Sequence, residues 1–143
     1  MRQVRGRAFF FVYKEIMISE TLKPIELTFG GKTFVFHQRM ATVAEEDAID
    51  QRFAEINKKD PARYEIAFQL CRDVLAETAA SMPEAIVDDE EKPGEQKSVP
   101  LGDGSVSAAL AAAFAERTMV NERIIRTAYN LYRGQLVPDY RFL

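Results

Sequence analysis

The chain has 143 residues, 47% of them hydrophobic and 29% charged, with a net charge of −3. That length buries a core without help from a metal or a disulfide, and the composition is that of a folded protein rather than a disordered tail or a fibre. One cysteine, Cys71, excludes an internal disulfide, one histidine, His37, excludes a His/Cys zinc cluster, and the mild acidity lacks the concentrated basic face that duplex nucleic acid requires.

The N-terminus, MRQVRGRAFFFVYKEIM, joins a basic start to a short apolar run. The run ends at Lys14 and Glu15 with no small-residue cleavage site after it, so it does not read as a secretory signal. No stretch approaches the ~20 apolar residues of a membrane-spanning helix. Residues 1–16 read in two ways: an aromatic-rich strand, or residues translated ahead of a natural start at Met17, where the patterned region MISETLKPIELTFGG begins.

Gly30 and Gly31 stand between two alternating runs, and Gly-Gly is a preferred pair for the positive-φ positions of a tight hairpin turn. Closing the strands there sets Phe29 opposite Lys32, Leu27 opposite Phe34 and Ile25 opposite Phe36. Five apolar side chains then share one face, while Glu26, Thr28, Thr33, Val35 and His37 take the other. An isolated hairpin is marginal in water, so its apolar face must rest on another element. Thr42 and Glu45 form a capping box that opens a helix over 43–57, with Ile49, Phe53 and Ile56 on its apolar stripe.

Asp60 as N-cap and Pro61 in the first helical position start a second helix that runs to about residue 81. Its stripe is Tyr64, Phe68, Cys71, Leu75 and Thr78, widened by Ile66, Leu70 and Val74 so that two sides find contacts. Residues 83–104, dense in carboxylates, prolines and glycines, read as an acidic flexible linker. A third helix, capped by Ser105 or Ser107, extends to Arg133 with Gly134 as its stop, and an apolar tail follows. The fold expected is α+β over a single domain, 1–143: an N-terminal β-hairpin packed on a three-helix remainder.

Charge is uneven along the chain: residues 41–104 carry seven basic and sixteen acidic groups between more basic flanks. No recognisable catalytic constellation accompanies it. His37 falls on the outer face of the hairpin with no orienting partner in sequence, and Cys71 lies among apolar neighbours, as a core thiol does. Glu46 and Asp50 are one helical turn apart, too few ligands for a hard cation. The GDGS turn at 102–105 lacks the Lys-Ser/Thr ending of a phosphate loop and reads as a hinge with a helix cap. The sequence therefore names no catalytic, metal-binding or cofactor-binding residue, no cofactor, and no enzyme class.

The span PIELTFGGKTFVFHQRMATVAEEDAIDQRF, residues 24–53, resembles the start of phage tail assembly chaperones, in which an apolar hairpin around GGKT is followed by a T-x-x-E/D opening to an acidic helix. The resemblance implies a cytoplasmic protein of a phage or prophage that binds tape-measure protein, tail-tube protein or both before the tail polymerises. On that reading Leu110, Phe114, Ile124, Ile125, Tyr129 and Tyr132 form a surface for a client helix or a second subunit. The competing reading makes the same residues intramolecular core. A different class of function also fits the acidic middle: a regulator or inhibitor protein of a mobile element, acting on a basic host protein. An enzyme of unrecognised type would instead show a deep pocket holding His37 or Cys71 beside carboxylates.

Overall fold

The computed structural model describes residues 22–136, so the two readings of 1–16, and all of the apolar tail after Leu136, lie outside the described residues. The first strands among the described residues are β1 (Ile25–Phe29) and β2 (Lys32–Phe36), paired antiparallel with Ile25 opposite Phe36, Leu27 opposite Phe34 and Phe29 opposite Lys32. Gly30 and Gly31 have φ of 61° and 79°, the positive values that a two-residue turn matched to strand twist demands at both central positions. This is the register expected from the alternation.

The helices are α1 (Val43–Ala54), α2 (Arg63–Glu77), α3 (Val106–Ala113) and α4 (Met119–Leu136). Between α2 and α3 the chain forms β3 (Glu84–Asp88) and β4 (Gln96–Pro100), giving one antiparallel sheet in the order β1-β2-β3-β4. The class is α+β, as expected, but the described residues form four helices and a second hairpin.

That second hairpin corrects the reading of 83–104 as a flexible linker. Ala85 and Val87 alternate with Glu84, Ile86 and Asp88, and β3 satisfies the edge of β2 through Phe34 opposite Ala85 and Val35 opposite Glu84. Val35, assigned to the outer face, is only 7% exposed because Glu26 flanks it on one side and Glu84 on the other.

Several helix boundaries also differ, among them the end of α2, which falls at Glu77 rather than near residue 81. The capping box of α1 is complete: Glu45 N–H donates to Thr42 Oγ1 at 3.1 Å and Thr42 N–H donates to Glu45 Oε1 at 2.8 Å. The helix nevertheless stops at Ala54, since the Asn57 and Asp60 side chains accept from Lys59 N–H and Ala62 N–H and fold 55–62 into turns. Asp60 thus closes a turn rather than capping α2, whose first helical residue is Arg63. The long third helix is two helices. Ser105 caps α3, as read, but Phe114 leaves helical geometry to enter the core, where its carbonyl accepts from Arg72 Nη1 at 2.7 Å. Thr118 then restarts the helix by accepting from Asn121 N–H. Gly134 lies inside α4, which continues to Leu136.

The core forms where the inner face of β1–β2 meets α2 and α4. Ile25, Leu27 and Phe36 pack with Phe68, Cys71, Val74 and Leu75 of α2 and with Ile124, Ile125, Ala128 and Tyr132 of α4. The α2 stripe is buried from Phe68 to Thr78, whereas Tyr64 and Ile66 at its start are exposed.

A buried polar latch fixes sheet to helix. Gln38, just past β2, donates from Nε2 to Leu75 O at 2.9 Å and to Thr78 Oγ1 at 2.8 Å, and Thr78 donates in turn to Val74 O. Main-chain bonds from Arg39 N–H to Thr78 O and from Ala80 N–H to His37 O complete the seam. At the same end, Gln135 Nε2 donates to Lys23 O, so the start of the described chain and the end of α4 meet at one pole.

Two predictions follow from the latch and the cap. Gln38→Ala strands buried polar groups of α2 and lowers unfolding free energy by about 1–3 kcal/mol in urea denaturation. Glu45 accepts bidentate bonds from Arg39 and a bond from Thr42 N–H, which hold its carboxyl at about 2, below the ordinary 4.5. Its folded value is depressed, so its contribution is fully present above pH 4.5 and is lost as pH falls through about 2. The stability difference between wild type and Glu45→Gln therefore shrinks across that window in pH-resolved denaturation.

Candidate functional site: an apolar groove beside the second hairpin

The six residues proposed as a binding surface do not form one. Leu110, Phe114, Ile124, Ile125 and Tyr132 are buried, and Tyr129 is half-buried with its ring 5.2 Å from Phe53. The correction has a simple cause: α3 and α4 fold back on α2, and α4 on β1 as well, and that packing removes their apolar stripe from solvent. Two of the six still bear on the surface, because Phe114 and Ile124 form the floor of an open groove.

The groove lies between the inner face of the sheet and the α3–α4 junction, with a volume of about 570 Å³. Phe29, Phe34, Val87 and Leu101 form its sheet wall, and Ala113 and Val120 its helix wall. Phe34 meets Phe114 edge-on, ring centres 5.6 Å apart, which closes the groove at its deep end. Val87 and Val120 at the mouth are 39% and 48% exposed. Helix α4 packs on β1, and the inner face around Val87 lies beyond that contact and stays open to solvent. Of this lining only Phe114 and Ile124 were among the residues assigned from sequence. The signal present for the rest was the short apolar run AIV at 85–87, hidden inside an acidic, loop-like stretch.

The reactive side chains sit elsewhere. His37 does have a carboxylate neighbour, contrary to the reading of an unpartnered residue: β3 brings Glu84 Oε2 to 3.6 Å from His37 Nε2. Ser98 Oγ donates to the other Glu84 oxygen at 2.6 Å. The order is hydroxyl, carboxylate, imidazole, so the imidazole does not contact the hydroxyl as a base activating a serine must. This cluster occupies the outer face of the sheet. Cys71 is 1% exposed, and burial pushes its thiol up to about 11, far from a reactive thiolate.

Neither residue lines the groove, the hollow of about 650 Å³ along the acidic β3–β4 turn, or the smaller one beside Arg52 and Glu77. Asp50 accepts from Arg133 Nη2 at 2.9 Å instead of sharing a cation with Glu46. Among the described residues, no group of three His, Cys, Asp or Glu side chains is placed to hold a metal ion. The GDGS turn delivers Ser105 Oγ to Ala108 N–H, which makes it a helix cap. No helix among the described residues is long and apolar enough to cross a membrane.

Floor and mouth of the groove answer differently to mutation. Phe114→Ala removes a buried ring and costs about 3–5 kcal/mol, whereas Val120→Asp, at a solvated position, changes unfolding free energy by only about 0.5 kcal/mol; urea denaturation of both variants measures the contrast. Compared with known proteins, the chain matches no family model, no curated protein and no solved structure.

Proposed function

We propose that the protein is a phage or prophage tail assembly chaperone, which works in the host cytoplasm and holds tape-measure or tail-tube protein soluble before tail polymerisation. The observation that carries this reading is the open apolar groove, whose mouth residues Val87 and Val120 remain in water while the residues around them pack. Exposed apolar walls over a fixed floor suit a partner's side chains. The resemblance of residues 24–53 to the chaperone hairpin supports the choice of client, and the hairpin's Phe29 and Phe34 supply part of the sheet wall. On this reading the protein is not an enzyme: it offers surface, not a reaction centre.

A second reading rests on the β3–β4 turn. Asp88, Asp89, Glu90, Glu91 and Glu95 crowd one end of the second hairpin, with all but Asp89 exposed. A regulator that docks this end on a basic host protein would use it. The two readings part on salt, because contacts between exposed charges are screened and apolar burial is not.

Co-expression with fragments of tape-measure or tail-tube proteins, followed by affinity capture, tests the proposal. Retention of a fragment through a wash of about 1 M salt is the expected result, with loss of that fragment in Val120→Asp. Retention of no fragment, or capture only of a basic host protein that salt releases, overturns it.

A further inference from the structure

Charge is sorted between the two faces of the sheet. The strand register sets Lys32 beside Phe29 and Lys97 beside Val87, on the same face as Phe34 and Val99. Side chains alternate along each strand, so Glu26, Glu84 and Asp88 fall on the opposite face. The inner face thus carries two ammonium groups and no carboxylate from its strands. Lys32 lines the groove itself, and neither lysine forms an ion pair among the described residues. On the helix side Glu122 is engaged by Arg117 and Arg126, while Glu116 stands exposed in the α3–α4 turn.

Among the described residues β4 is an edge strand, and its outer edge disfavours an added strand. Leu101 N–H donates to Pro83 O, so the alternate residues Gln96, Ser98 and Pro100 face away from β3. Pro100 has no N–H to give, and a lysine beside a proline is how natural edges resist pairing. The groove also holds about 570 Å³, room for a few side chains rather than for a main chain. A helix that inserts apolar residues at i, i+3 or i+4, and i+7 meets that shape.

We propose that the occupant of the groove is an amphipathic helix with carboxylates along the sheet-facing border of its apolar stripe, received by Lys32 and Lys97. This deepens the client reading and takes from it only that the groove holds a protein segment. The apolar stripe supplies the affinity, and the lysines select orientation and exclude basic helices.

Fluorescent synthetic helices of about 20 residues test this on the full chain. They share one Leu/Phe face and differ only in carrying Glu or Lys along its border. The Glu helix binds the wild type about tenfold more tightly than the Lys helix at about 0.15 M salt. The double variant Lys32→Glu, Lys97→Glu reverses that order, and Val120→Asp weakens both; circular dichroism checks that each variant folds. Equal binding of the two helices, an order unmoved by the lysine reversal, binding unaffected by Val120→Asp, or binding of neither helix overturns the inference. Peptides that behave as stated while no tape-measure or tube fragment is retained leave the inference standing and sink the choice of client.

Discussion

The inner face of the β1–β2 hairpin is too apolar to remain wet and too small to bury itself, and the rest of the architecture answers that constraint. Ile25, Leu27 and Phe36 need a roof, which α2 and α4 supply with Phe68, Leu75, Ile125 and Tyr132. Hydrophobic contact alone would leave the roof free to slide. Gln38 prevents this, because its amide reaches the last turn of α2 and only one registration of strand and helix satisfies both Leu75 O and Thr78 Oγ1. Arg39 then carries the same seam outward, pairing with Glu45 at the start of α1 and donating to Glu77 O. One short run after β2 therefore ties the sheet to two helices.

Under that roof, packing is complete on the β1 side and runs out towards β3 and β4. The uncovered part is where the groove lies. Its floor is core, its mouth is solvent, and the transition takes place over Phe34, Phe114 and Ile124. The site is thus a place where the core has been left open rather than a cleft lined by chemistry. His37, Glu84 and Ser98 stand on the other side of the same sheet, and Cys71 lies deep in the α2 layer.

The first hairpin, the capping box at Thr42 and Glu45, the α2 stripe and the Ser105 cap were legible because each is written in residues close together in sequence. The second hairpin was not: a stretch, 84–100, in which carboxylates, Pro93 and Gly94 outweigh Ala85 and Val87 looks like a loop until β2 offers an edge to pair with. The break between α3 and α4 was hidden for a similar reason. The alanine-rich run favours continuous helix, and what ends it is tertiary: Phe114 turns inward and Arg72 takes its carbonyl. The groove joins residues from three strands, the loops beside them and two helices, and no local pattern announces that Val87 and Val120 line one hollow. Of the two readings the sequence left open for the six apolar positions, burial favours intramolecular core over client surface, since a stripe records that a face will be covered without recording by what.

The contact between Gln135 and Lys23 brings the two ends of the described chain to one pole, while Gly30, at the far end of β1, borders the groove. Five residues of strand separate these places, about 17 Å. A reporter group placed beside Lys23 or Gln135 would therefore sit on the side of the body remote from the groove's mouth.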